Sequence, residues 1–296
     1  MDDVPPRTGV RDRAEGLAAP TTITAFRRLH DAGCFVMPNP WDVGSAVFLH
    51  RLGFKALAST SAGLAFSRGV PDQMGSLDVS DVLAHLSALA AATPLPLNAD
   101  FQAGFAPDPE GVAVQVGRCV ATGVAGLSIE DATDDPGVPL FERAQAIERV
   151  RAARRANDDS GIPVVLTARC EAWLVKHPDA ARVALDRLVA FADAGADCLY
   201  APALPDASAI AEVVKAVAPR PVNVLVSAPI PGLTLARLAA LGVRRISVGS
   251  ALARVAWGAF MRAARELAAT GAFEALGAAA SFSEVNGLFT APGPSE

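Results

Sequence analysis

The chain has 296 residues, 51% of them hydrophobic and 19% charged, with a formal net charge of −5 at pH 7. That balance excludes intrinsic disorder, which needs low hydrophobicity and high charge, and it leaves ample apolar surface for a core. A net negative chain has no overall attraction to nucleic acid. No apolar run approaches the roughly 20 residues of a membrane-spanning helix. Residues 1–20 are charged and rich in Pro and Gly; they read as a mobile arm, not a signal peptide. Cys34, Cys119, Cys170 and Cys198 show no CxxC spacing and read as reduced, buried thiols of a cytoplasmic protein.

In chain order, short apolar runs rich in β-branched residues alternate with longer stretches of helical period. The runs are 34–38, 55–60, 94–100, 123–131, 162–169, 196–202, 221–226 and 243–249. Between them, Val79–Ala92, Pro109–Thr122, Glu142–Asn157, Asp179–Ala194, Ala207–Val217 and Leu233–Leu241 carry apolar residues at i, i+3 and i+4 and predict helices. Ser250–Thr270 predicts a long final helix, and Gly33, Gly123, Gly195 and Gly242 read as helix stops. Strand–helix alternation implies parallel pairing through right-handed crossovers. Eight such units within 21–270 fit a closed α/β barrel, the (β/α)8 TIM barrel. An open doubly wound sheet is the rival, but no GxGxxG follows the first run. Residues 271–296 read as a docking or exchange segment.

In such a barrel the chemistry sits at the C-terminal strand ends. Polar residues gather there: Asn39, Ser59, Thr60, Ser61, Asn98, Asp100, Ser128, Glu130, Asp131, Thr167, Arg169, Glu171, Tyr200, Asn223 and Ser247. The opposite strand ends read as apolar. A charge inside an apolar strand is costly unless paired, and Asp100, Glu130 and Arg169 occupy such positions. Carboxylates and amide oxygens, with no His or Cys at metal spacing, suit a hard cation such as Mg²⁺. No GxSxG elbow signals a serine nucleophile. Cys170 points away from the barrel interior if Arg169 points in. Gly249-Ser250, ahead of the last helix, either holds a phosphate or simply caps that helix.

Several segments then fall into a known order. They are Pro38-Asn39-Pro40-Trp41-Asp42, Thr60-Ser61-Ala62-Gly63 with Gly69-Val70-Pro71-Asp72, and Asn98-Ala99-Asp100-Phe101-Gln102-Ala103-Gly104-Phe105. Gly126-Leu127-Ser128-Ile129-Glu130-Asp131, Ala168-Arg169 and Ala194-Gly195-Ala196-Asp197 complete the set. Over 21–269 the chain resembles the isocitrate lyase/phosphoenolpyruvate mutase superfamily. The resemblance implies a (β/α)8 barrel whose C-terminal helix is exchanged between subunits of a dimer or tetramer. It implies Mg²⁺ or Mn²⁺ and a small 2-oxo acid or enolpyruvyl substrate, with neither nucleic acid nor membrane as partner. By the same resemblance Thr60, Ser61, Ala62 and Arg169 bind substrate, and Trp41 and Asn223 at the same strand ends are further substrate-binding candidates. Asn98, Asp100, Glu130 and Asp72 hold the metal or its waters, and Arg169, Glu130 and Asp72 form the catalytic set.

Two departures stand out. The first of the family's paired aspartates is Asn98 here. The lyases' Lys-Lys/Arg-Cys-Gly-His loop is replaced by Ala132-Thr133-Asp134-Asp135-Pro136-Gly137-Val138, which has no cysteine. The expected reaction is an Mg²⁺-dependent carbon–carbon lysis or decarboxylation of an oxaloacetate-like 2-oxo acid through a metal-stabilised enolate. Its proton donor is left among water, Tyr200 and Glu171. The alternatives are P–C chemistry of the phosphoenolpyruvate mutase or phosphonopyruvate hydrolase kind, 2-methylisocitrate lyase-type cleavage, and a catalytically weak oxo-acid-binding barrel.

Overall fold

Each of the eight apolar runs contains a strand. They are β1 (Phe35–Met37), β2 (Leu57–Ala58), β3 (Leu97–Asp100), β4 (Gly126–Glu130), β5 (Val165–Arg169), β6 (Cys198–Tyr200), β7 (Val222–Leu225) and β8 (Arg245–Ser247). The computed structural model describes residues 20–133 and 135–290, so most of the expected N-terminal arm lies outside the described residues. All strand pairs are parallel, consecutive from β2 to β8, with β1 against β8. The ring closes between β1 and β2 through a hydrogen bond of 3.0 Å from Ala58 N–H to Pro38 C=O. Asn39 completes that seam. Its Nδ2 donates to Ser59 C=O at 2.8 Å, and its Oδ1 accepts from Val248 and Gly249 N–H at 2.9 Å each. The Pro-Asn-Pro segment therefore ties three strand ends together at the mouth of the barrel.

The helices are α1 (Pro20–Asp31), α2 (Val43–Arg51), α3 (Ser61–Ser67), α4 (Val79–Ala92), α5 (Pro109–Val120) and α6 (Arg143–Asp159). They continue with α7 (Ala180–Asp193), α8 (Ala207–Val217), α9 (Leu235–Ala240), α10 (Ala251–Thr270) and α11 (Phe282–Thr290). α4 and α8 have the predicted bounds. In α4 the spacing of Val82, Leu83, Leu86 and Leu89 makes one buried stripe against the barrel. α5 starts where Asp108 Oδ1 accepts Gly111 N–H at 2.7 Å, with Pro109 in the first turn. Periodicity misses α1, α2, α3 and α11. α2 and α3 have nine and seven residues, too few turns for a period to register, and their starts are set by caps. Asp42 Oδ1 accepts Ser45 N–H at 2.7 Å, and Thr60 Oγ1 accepts Gly63 N–H at 3.2 Å.

At the opposite end of the barrel, Asp197 accepts Leu166 N–H at 2.9 Å and pairs with Arg27 and Arg154 at 3.4 and 3.2 Å. The Ala194-Gly195-Ala196-Asp197 segment thus fastens α1, α6 and β5 at the barrel base. α10 buries only Ala253 and leaves Val255, Trp257 and Phe260 exposed, while Phe289 of α11 lies against α2 at Gly44. No helix among the described residues is long and apolar enough to cross a membrane.

Candidate active site

Side-chain alternation along parallel strands in register stacks the barrel interior in layers. Glu130 of β4 stands beside Arg169 of β5, and Arg169 beside Tyr200 of β6. Two residues down on β5 and β6, Thr167 stands beside Cys198; Asn223 of β7 stands beside Tyr200 on one side and Arg245 of β8 on the other, and Arg245 reaches Thr167.

The upper layer is a carboxylate cluster around one guanidinium. Arg169 Nη1 lies 3.1 Å from Glu130 Oε2 and 3.5 Å from Asp100 Oδ1. Its Nε and Nη2 both donate to the Glu171 carboxylate, Nη2 at 3.2 Å. The guanidinium carbon is 5.1 Å from the centroid of the Tyr200 ring. Burial pushes the Glu130 carboxyl up to about 8; Arg169 opposes this, while Glu171, Asp100 and Asp72 reinforce it. Burial also raises Glu171, against the pull of Arg169. The Tyr200 hydroxyl is pushed up to about 12, again chiefly by burial, and stays protonated at neutral pH.

Supporting contacts fix the cluster. Asp100 Oδ2 accepts Ser61 N–H at 3.0 Å, and Asp100 N–H donates to Ser59 Oγ at 2.8 Å. The Ser61 N–H, expected to face substrate, is therefore engaged by Asp100. Glu171 N–H donates to Asp131 Oδ1 at 2.8 Å, and Asp131 Oδ2 accepts from Arg187 at 2.9 Å. Cys170 is buried beside Asp131, its thiol pushed well up by burial. A buried, protonated thiol is a poor acid or nucleophile.

An open cavity of about 240 Å³ fills the mouth. Thr60, Ser61, Ala62, Asp72, Asn98, Asp100, Arg169, Tyr200 and Asn223 all line it. Glu130 and Glu171 are not in that lining, so they act on the cavity through Arg169. Trp41 is not in it either. Its Cβ packs against Gly63, where an added Cβ would sit 2.9 Å from Trp41 Cβ and 2.5 Å from Thr60 Cγ2. Glycine is needed there for the close approach of α3.

The lower layer corrects the expectation of apolar strand starts. Arg245, the first residue of β8, is buried inside the barrel. Its Nε donates to Asn223 Oδ1 and its Nη2 to Thr167 Oγ1, both at 2.9 Å. Its Nη1 lies 3.4 Å from His30 Nε2 and 3.5 Å from Asn98 Oδ1. Asn98 is thus turned toward Arg245, and an added Cβ at Gly126 would meet its Oδ1 at 2.8 Å. Of the Asn-x-Asp pair, only Asp100 reaches the upper layer. Counting back two residues from Ser247, itself at an inward position, is the sequence signal that could have placed Arg245 inside.

Among the described residues no three acidic, His or Cys side chains form a ready cage for a metal ion. The cavity lining offers the carboxylates of Asp72 and Asp100 and no His or Cys. Mg²⁺ keeps several waters and needs only one or two protein carboxylates, so this hard-oxygen set fits it. Charge agrees, because Asp72, Asp100, Glu130 and Glu171 all act around a single guanidinium. The loop that replaces the lyase Cys motif is pinned by the Ala132–Leu140 bridge and by Thr133 N–H to Pro139 C=O at 3.0 Å.

The family model for phosphoenolpyruvate phosphomutase matches residues 26–268. An uncharacterized protein of Mycobacterium tuberculosis (strain H37Rv) is 34% identical over 228 residues, which cover 76% of this chain and 82% of that one. A structure of a candidate lyase/mutase from Burkholderia cenocepacia J2315 superposes with a TM-score of 0.87 at 46% identity, covering 92% of this chain and 98% of that one. Oxaloacetate acetylhydrolase, solved with its product oxalate, superposes with a TM-score of 0.80 at 25% identity, covering 92% and 94%. With the eight-stranded barrel and the motif order in place, the chain belongs to the phosphoenolpyruvate phosphomutase family, enzymes of the isocitrate lyase/phosphoenolpyruvate mutase superfamily of lyases and mutases.

Proposed function

We propose that this enzyme is an Mg²⁺-dependent carbon–carbon lyase, specifically a decarboxylase of a small oxaloacetate-like 2-oxo acid. The observation that carries the reading is Arg169, which lines the cavity beside Asp100 and Asp72 and is braced from behind by Glu130 and Glu171. Arg169 attracts the substrate carboxylate and fixes its orientation. Asp100 and Asp72 would hold the cation, whose Lewis acidity stabilises negative charge developing on the keto oxygen. The C3–carboxylate bond breaks, its electron pair forms the C2–C3 double bond of an enolate, and CO₂ leaves. Tyr200, protonated and facing the cavity, then returns a proton to C3, with water as the other donor.

The cysteine-free loop favours decarboxylation over retro-aldol cleavage. Decarboxylation needs only a proton donor to the enolate, whereas retro-aldol cleavage needs in addition a base that takes the substrate's hydroxyl proton. Among the described residues Cys119, Cys170 and Cys198 are buried and Cys34 lies at the start of β1, at the other end from the mouth. Phosphoryl chemistry is the second reading, favoured by the matching family description; ³¹P NMR of phosphoenolpyruvate or phosphonopyruvate incubations distinguishes it. The exposed apolar residues of α10 support a homo-oligomer in which that helix packs on another copy. The free thiols fit a reducing compartment such as the cytoplasm.

The test is incubation of the purified protein with Mg²⁺ and a panel of 2-oxo acids, following pyruvate release. Oxaloacetate is expected to turn over well above the rate with Mg²⁺ alone, and chelation is expected to abolish the enzymatic part. An intact fold that turns over no member of the panel overturns the reading.

A further inference from the structure

We propose that Arg245, Asn223 and Ser247 form a one-way hydrogen-bond chain that turns the Tyr200 hydroxyl proton out into the cavity, which makes Tyr200, rather than water, the proton donor to the enolate. The inference rests on the proposed decarboxylase function and deepens it by naming the residues that position the proton. Parallel register sets Tyr200 of β6 beside Asn223 of β7, and Asn223 beside Arg245 of β8. Ser247 stands two residues above Arg245 on the same side of its strand. All four residues line the cavity.

The direction of the chain follows from its fixed end. A guanidinium carries only N–H donors and does not lose its proton in a protein. Arg245 Nε meets the Asn223 side chain at 2.9 Å, so the atom it meets is the amide oxygen, Oδ1. Thr167 Oγ1 holds Arg245 in that pose by accepting from Nη2 at 2.9 Å. With Oδ1 taken, Asn223 presents Nδ2 to Ser247 and donates to its Oγ at 3.0 Å. A hydroxyl that accepts on one side keeps its single proton for the other. There the Ser247 hydroxyl hydrogen-bonds Tyr200 and counters the upward push of burial on the phenol, the sense expected when Ser247 donates to the phenol oxygen. Tyr200 Oη accepts on that side, and its own proton is left for the cavity. Every link between Arg245 and Tyr200 is neutral. A carboxylate in the chain would accept from both neighbours and erase the direction. In the step itself the Tyr200 O–H bond breaks, the C2–C3 π pair forms the new C3–H bond, and the enolate oxygen regains its carbonyl. The phenolate left behind keeps the Ser247 hydrogen bond and the Arg169 guanidinium, whose carbon is 5.1 Å from the ring centroid, and it recovers a proton from solvent water.

The isosteric Asn223→Asp reverses the chain. Its carboxylate accepts from Arg245 Nε and also from the Ser247 hydroxyl, so Ser247 then accepts from Tyr200 and the phenol proton turns away from the cavity. Ser247→Ala removes the link, and Ser247→Thr keeps the hydroxyl. The test follows CO₂ and pyruvate together in Mg²⁺-loaded protein given oxaloacetate. Enolate that leaves without its proton is released as enolpyruvate, which ketonises in solution and appears late as pyruvate. Wild type and Ser247→Thr are expected to form CO₂ and pyruvate in step. Asn223→Asp, Ser247→Ala and Tyr200→Phe are each expected to raise the enolpyruvate released per CO₂ by about tenfold or more. A purely structural defect slows CO₂ release without changing that ratio, and Ser247→Ala keeps the test decisive if Asn223→Asp does not fold. A wild-type ratio in the folded variants, or free enolpyruvate from the wild type itself, overturns the inference and leaves the proposed function standing. Failure of the wild type to release CO₂ overturns both.

Discussion

The two layers of the barrel interior use the same cation in opposite ways. In the upper layer Arg169 is surrounded by Asp100, Glu130 and Glu171, and burial together with the crowding of carboxyls pushes Glu130 up to about 8. In the lower layer Arg245 meets amides, a hydroxyl and a neutral imidazole, and positive charge is uncompensated. A charged interior of this kind is costly for the folded chain.

The strongest way to break the comparison is to delete each arginine in turn. Arg169→Ala strands three carboxylates, two of which have no direct route to the cavity. Turnover is expected to fall by about 10³ or more and stability by about 3–5 kcal/mol in urea melts. Arg245→Met strands only neutral acceptors, so its stability loss is expected to be smaller, about 1–3 kcal/mol. Equal losses would mean that the two layers are not electrostatically distinct.

A smaller change separates holding from chemistry at Asp100. Asp100→Asn keeps an oxygen to accept Ser61 N–H but loses the charge. Stability is expected to stay within about 1 kcal/mol of wild type, because like charge beside Glu130 and Glu171 is relieved. Turnover is expected to fall roughly 10²-fold, with a higher Mg²⁺ requirement. Full activity in Asp100→Asn at ordinary Mg²⁺ would remove Asp100 from the cation site.

Much of the upper layer was legible in the sequence, because Asp100, Glu130 and Arg169 are charged residues within otherwise apolar strands. Their common layer follows from alternation and parallel register alone. The bracing by Asp131 and Arg187 was not legible, since it depends on where α7 packs. Trp41 and Asn39 show how position in the sequence leaves the packing role open. Asn39 lines the cavity and also closes the barrel seam, while Trp41 packs on Gly63. Arg245 was hidden by its neighbour. Arg244-Arg245 looks like a solvated strand start, but adjacent residues point to opposite sides, and Arg244 reaches outward to Gly33 C=O at 3.1 Å.

The subtlest expected effect concerns pH and tests whether the upper layer carries excess negative charge when no cation is added. Glu130 is raised from its ordinary value to about 8, first by burial and then by neighbouring carboxylates, with Arg169 opposing. A carboxyl that holds its proton more tightly folded than unfolded binds more protons in the native state across that interval. Its contribution to stability is therefore fully present below about pH 4.5 and declines as pH rises toward about 8, where it levels off. Glu171 shifts in the same direction and adds to the slope. Glu130→Gln imitates the protonated carboxyl and cannot ionise. In chelator-treated protein, urea melts between pH 5 and pH 8 are expected to show a falling stability for wild type and a shallower fall for Glu130→Gln, by a few kcal/mol at most. Parallel profiles for the two proteins would mean that Arg169 alone already satisfies Glu130 as a carboxylate, and the case for a second cation in this layer would lose its electrostatic basis.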